Sequence, residues 1–147
     1  MKPHKIITLL FVAILPLIAT AQNQPQIKIG TKGIPHGVNE TGVAETISVA
    51  SFAKDGTLHV TKDNKVYTIE SFEISILPKK GNDLIGPLVL NATRGNGNIS
   101  DLKNMPEIKN YKSDGTRIFI ERLTASCADC TDMNTITVKA FSINLKE

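Results

Sequence analysis

The sequence predicts an all-β protein, a sandwich or barrel of six or seven short strands with one short helical turn. Three observations point there. Apolar and polar residues alternate in several stretches, turn-forming residues recur every eight to twelve positions, and no segment of ten or more residues keeps a clean 3.6-residue period. With five Phe, two Tyr and no Trp, the core must be built from Ile, Val and Leu, and β-branched residues suit a pleated surface.

Ile27-Lys28-Ile29 opens the pattern as a short alternating segment. Gly30 to Gly42 follows, with four glycines, Pro35 and Asn39, and reads as an extended loop. Thr46 to Phe52 alternates again, and Lys54-Asp55-Gly56 predicts a turn into Thr57 to Thr61, a hairpin with Leu58 and Val60 facing inward. Asp63-Asn64 is a further turn. Lys65 to Leu77 is the clearest strand, because Phe72, Ile74 and Ile76 alternate with Ser71, Glu73 and Ser75. Tyr67 and Ile69 occupy the opposite phase, so a bulge is expected near Glu70. Pro78 to Asn98, with two prolines, four glycines and four asparagines around Leu88-Val89-Leu90, gives no clear element. Ile99, Leu102, Met105 and Ile108 are spaced by three, which suits one or two helical turns behind a Ser100 cap, interrupted before Pro106. Asp114-Gly115 turns the chain into Thr116 to Ala125, which pairs with Thr135 to Leu145 through the loop Ser126 to Asn134. Within that last strand the phase slips once more, from Ile136 and Val138 to Phe141, Ile143 and Leu145.

Residues 1–21 read as a signal peptide. Lys2, His4 and Lys5 form a positive start, Ile6 to Ile18 is apolar apart from Thr8 and Pro16, and Ala19-Thr20-Ala21 is a small-x-small cleavage site. The apolar run is 13 residues, short of the roughly 20 that span a bilayer. Neither cysteine follows the cut, which disfavours a lipid-attached form. The expected mature protein is periplasmic or secreted, with a flexible lead-in at residues 22–26 and one domain at 27–147. Cleavage near Ala21 removes Lys2 and Lys5 and no acid, so 17 basic against 14 acidic side chains become 15 against 14, a net charge of +1. Lysines are scattered, which argues against nucleic acid as a partner.

Cys127-Ala128-Asp129-Cys130 is the one motif with chemical potential, and three readings compete: a redox pair, half of a zinc site, or a small disulfide. A redox thiolate needs a helix N-terminus or similar stabilisation, and the motif sits in a loop between two strands. Zinc needs further ligands, whereas His36 and His59 lie far off without paired spacing. A disulfide at a hairpin tip after export is favoured; closing so small a ring should contribute about 1 to 2 kcal/mol. His36 and His59 themselves read as surface residues. Arg94-Gly95-Asn96-Gly97-Asn98 lacks the third glycine and the strand-turn-helix setting of a dinucleotide loop. Asn39, Asn91 and Asn98 each begin a glycosylation sequon. Glu70, Glu73, Glu121 and Arg122 read as a solvated sheet face. No catalytic, metal or cofactor site is expected.

Val66-Tyr-Thr-Ile-Glu-Ser-Phe-Glu-Ile-Ser-Ile, then Gly97-Asn-Ile-Ser, Ser113-Asp-Gly-Thr-Arg-Ile-Phe-Ile-Glu-Arg-Leu-Thr-Ala and the closing strand to Leu145 resemble, in order and spacing, the C-terminal domain of the gliding-motility protein GldM. That resemblance, over roughly residues 66–145, implies an immunoglobulin-like β-sandwich in the periplasm of a Bacteroidetes-type bacterium, contacting partner proteins in gliding or type IX secretion, without enzymatic activity. The chain lacks the family's retained transmembrane helix, helical domain and tandem domains, so a motor-coupling role does not carry over. The function expected is therefore a non-catalytic protein-interaction module with a cell-envelope or secreted protein as its partner. The alternative is a module for a small ligand or surface glycan using the Gly30 to Gly42 and Gly81 to Gly97 loops, although few aromatics are present for sugar stacking. A thiol oxidoreductase would rest wholly on Cys127 and Cys130.

Overall fold

The computed structural model describes residues 24–34, 44–79, 83–94, 97–131 and 134–147. The signal peptide, His36 and Asn39 lie outside them. Among the described residues are nine strands: β1 (Gln26–Ile29), β2 (Lys32–Ile34), β3 (Glu45–Ser48), β4 (Leu58–Lys62), β5 (Lys65–Leu77), β6 (Ile85–Asn91), β7 (Arg117–Ser126), β8 (Thr135–Val138) and β9 (Phe141–Lys146). Two short helices, α1 (Val49–Lys54) and α2 (Pro106–Lys109), and two 3-10 turns complete the fold. The all-β class is as the sequence predicts, with nine strands in place of six or seven.

The fold is organised by β5 and β7, which pair antiparallel along most of their length. On its other edge β5 pairs first with β4, through Lys65–Tyr67, and then with β6, through Ser71–Ile76. β7 likewise pairs with β9 through Arg117–Ile120 and with β8 through Leu123–Ser126. The ribbon thus belongs to two layers: β2-β1-β4 and β8 flank one end of it, β6 and β9-β3 the other. The crossing point is marked in both strands. Between Ile69 and Ser71 β5 advances two residues while β7 advances one, so Glu70 is the extra residue; between Ser71 and Glu73 the surplus is on β7, at Arg122, whose φ is 50°. Paired bulges of this kind bend a ribbon and rotate its buried face. Tyr67 and Ile69 are buried before the bend and Phe72, Ile74 and Ile76 after it; on β7 the buried set changes from Ile118 and Ile120 to Leu123 and Ala125. The expected bulge near Glu70 is present. The slip expected in the last strand is a complete break at Lys139-Ala140 that separates β8 from β9.

Tight turns follow their residues. Asp63 and Asn64 both have positive φ, 51° and 61°, in the two-residue connection of β4 to β5, which is the turn that matches strand twist. Leu58 and Val60 face inward as expected. The predicted hairpin between Thr46 to Phe52 and Thr57 to Thr61 is not formed. The strand stops at Ser48, whose Oγ accepts from the Ser51 amide at 3.0 Å and so caps α1. The helix drives Phe52 into the core, and β3 pairs in parallel with β9, far away in sequence. A second correction concerns Pro106. It begins α2 instead of merely ending a preceding turn, because proline's fixed φ suits the first helical position. Ile99, Leu102, Met105 and Ile108 are all buried, as their spacing predicts, and seal one side of the sandwich.

Candidate functional site

The segment Pro78 to Asn98, which shows no clear element in the sequence, holds two of the three exposed large apolar residues among those described, Leu84 and Val89; the third is Val66 on β5. Residues 85–91 form β6, which among the described residues pairs with β5 only and presents an outer edge. Leu90 opposite Phe72 is buried and Leu88 opposite Ile74 half-buried. Val89 is 65% exposed, and Leu84 just before the strand is 53% exposed. β6 contains no charged residue. Gly86 has φ 111°, and a Cβ there would stand 2.6 Å from the Ile74 carbonyl oxygen, so only glycine allows the strand to lie this close to β5. Pro87 follows through a cis peptide bond; an edge strand tolerates a residue without an N–H.

Beside β6 runs a groove of about 550 Å³, lined by Leu90 and by Gly97, Asn98, Ile99, Asp101, Asn104, Met105, Pro106 and Glu107. Its far wall is firmly held. Leu58 donates its amide to the Ser100 carbonyl at 2.7 Å, Leu102 donates to Gly56 at 3.2 Å, and the fully buried Leu102 and Ile108 pin the wall from behind. The same three-residue spacing that buries the apolar row places Asn98, Asp101, Asn104 and Glu107 along the groove. Asp101 Oδ2 accepts from Asn104 Nδ2 at 2.7 Å, whereas its Oδ1 is buried without a hydrogen-bond partner. A buried acceptor without a protein partner is uncommon and costs stability unless water meets it.

A second depression of about 520 Å³ lies between β1-β2 and β3-α1, lined by residues including Ile29, Lys32, Ser48, Ser51 and Asp55, and is joined to the first through Thr57, which bridges to Asp101. Several of its polar groups are paired with one another. Lys32 Nζ meets Glu45 Oε1 at 2.7 Å, the Ser48 and Ser51 hydroxyls bond at 2.8 Å, and Asp55 Oδ1 accepts from the Thr57 amide at 3.2 Å. Hydrogen bonds from Thr57, first through its side chain and then its backbone, hold the Asp55 carboxyl below its ordinary range.

The structure joins Cys127 and Cys130 in a disulfide, with Cα atoms 5.4 Å apart, at the β7–β8 tip. Both residues are buried, and the Cys127 amide donates to the Asn134 carbonyl at 2.7 Å, so the pair is enclosed in its loop. His59 is exposed on β4 opposite Lys28. Glu73 lies opposite Glu121 across the ribbon and takes an ion pair from Arg122 at 2.7 Å; Glu70 stands exposed at the bulge. Asn91 accepts from its own sequon's Thr93, at 2.8 Å from the amide and 2.5 Å from the hydroxyl, and Asn98 accepts from the Ser100 amide at 3.1 Å. None of these side chains lines the groove except Asn98. Among the described residues no group of three or more His, Cys, Asp or Glu is placed to hold a metal ion, and no helix is long and apolar enough to cross a membrane.

The strand and the groove went unread in the sequence. The signal for the groove was present as a second row of period three, polar and one residue before the apolar one. Comparison with protein families, with curated proteins and with solved structures finds no match to this chain.

Proposed function

We propose that this chain is an exported, non-catalytic β-sandwich that binds another protein of the cell envelope or a secreted protein by adding a strand to β6. The observation that carries the reading is the uncharged open edge of β6 with Val89 and Leu84 exposed beside it. Edge strands are ordinarily protected by charge, by proline, by extreme shortness or by cover; Pro87 interrupts the first half of β6, and the stretch Leu88 to Asn91 carries neither charge nor proline and is the template for an incoming strand. A disulfide-bonded cysteine pair is compatible with a location outside the cytoplasm, and the leader-like residues 1–21 support export. The resemblance to the GldM C-terminal domain supports a role linked to gliding or type IX secretion.

The test uses the full chain, tagged at its C-terminus, in its native host. Wild type, Val89→Lys and Thr46→Lys are compared by crosslinking, envelope fractionation and mass spectrometry of what co-purifies. The lysine at position 89 is expected to remove a partner that wild type and the position-46 variant both retain. An identical set of partners from all three, or none from wild type, would sink the proposal.

A further inference from the structure

We infer that the groove beside β6 takes an extended segment of a partner protein that carries an apolar residue and, two positions away, a lysine or arginine. The inference rests on the reading of β6 as the interaction edge and adds the chemistry of what binds there. A strand added outside β6 lies about 4.8 Å from it, and its alternate side chains turn to the same side as Leu88 and Leu90. On that side Leu90 forms one wall of the groove and Ile99, Met105 and Pro106 supply the apolar part of the rest. One inward side chain of the partner therefore meets an apolar surface. The next lies about 7 Å along the strand, within a long cation's reach of the row that carries Asp101 and Glu107.

Charge and hydrogen bonding select the cation. Among the described residues the groove is lined by two carboxylates and no lysine or arginine. Lys103, which is adjacent in sequence to this row, donates its Nζ to the Lys54 carbonyl at 2.9 Å instead. Asp101, held on one oxygen by the Asn104 amide, lines the groove together with Glu107, so a cationic side chain seated there meets two carboxylates. An acidic partner would bring a third carboxylate to the same place, and like charges in a part-buried site discriminate strongly.

The test uses the purified chain labelled with nitrogen-15 and two blocked heptapeptides, Thr-Leu-Thr-Lys-Thr-Leu-Thr and its counterpart with Glu for Lys. The lysine peptide is expected to shift the amide resonances of residues 85–91, and the glutamate peptide to bind at least about tenfold more weakly. The Asp101→Asn/Glu107→Gln double variant should bind the lysine peptide about tenfold more weakly while its spectrum elsewhere stays unchanged, which separates lost binding from lost folding. Equal shifts by both peptides would overturn the charge selection and leave the edge reading standing. No shift at residues 85–91 with the lysine peptide up to about 5 mM would overturn the inference, and the partner comparison with Val89→Lys then decides the edge reading separately.

Discussion

The two depressions of this sandwich adjoin each other through Thr57 and differ in how their lining groups are paired. On the side of β2 and β3, Lys32 bridges to Glu45, the serines at the start of α1 bond to each other, and Phe52 plugs the gap. On the side of β6, the strand carries no charge, Val89 faces solvent, and Asp101 keeps a buried oxygen without a partner. The depressions are of nearly equal volume, about 520 and 550 Å³, so size does not separate them. Among the described residues both sides end in strands with one open edge, so the difference lies in the exposed Val89 and Leu84 and the unpartnered Asp101 oxygen near β6.

That contrast is broken most forcefully in the core beneath each side. Phe52→Ala empties a fully buried position on the side of β2 and β3 and should cost about 3 to 5 kcal/mol in urea unfolding. Leu90→Ala, on a wall that already borders a groove, lets water reach the space it leaves and should cost nearer about 2 kcal/mol. Equal losses would mean the groove is closed off in solution.

A smaller effect tests the bend that carries β5 and β7 from one layer to the other. Arg122 adopts φ 50°, which costs an L-residue about 1 to 2 kcal/mol and glycine almost nothing. Its ion pair with Glu73 is largely exposed and stabilises by at most about 1 kcal/mol. Arg122→Gly should therefore leave stability within about 1 kcal/mol of wild type, while Arg122→Val, β-branched in the same conformation, should lose about 2 kcal/mol. A glycine variant as unstable as the valine one would show that the side chain, not the backbone, holds the bend.

The smallest effect concerns pH. Lys79 pairs with Asp114, whose other oxygen accepts from the Glu147 amide at 3.1 Å. The hydrogen bond to Lys79 lowers the Asp114 pKa below its ordinary 3.8, and the hydrogen bond to Asp114 raises that of Lys79 above 10.5. A depressed carboxylate stabilises fully above its unfolded value and loses that contribution as pH falls through the folded one. A raised lysine stabilises fully below its unfolded value and loses it as pH rises through the folded one. The contribution should thus be flat across neutral pH and fade at both extremes, and Lys79→Ala should differ from wild type across that middle range and approach it as acid protonates Asp114. Both groups are exposed, so thermal unfolding at low salt is the condition in which to look.

What was legible in the sequence was local. Phe72, Ile74 and Ile76 declare their strand because period two is set by the strand itself, and Asp63-Asn64 declares its turn because those residues tolerate positive φ. The change of phase between Ile69 and Phe72 exposed the bulge at Glu70. The matching change between Ile120 and Leu123 was equally available and marks Arg122. β3 was misassigned to a hairpin because its partner is β9, some hundred residues away, and because Ser48 reads as a strand residue until it is recognised as a cap. β6 was hidden by Gly86 and Pro87, which look like loop residues and are tolerated here only because the strand is an edge. The polar row of the groove, Asn98, Asp101, Asn104 and Glu107, was legible as a period of three, but its opposite wall, Leu90, comes from β6 and was not.

The most direct test places a photo-crosslinking amino acid at one position at a time in the exported full chain. Position 89, on β6, is compared with position 46, on β3, in the native host. The account predicts a discrete adduct to a second protein from position 89 and none from position 46. Adducts from position 46 alone, or equally from both, would contradict β6 as the interaction edge.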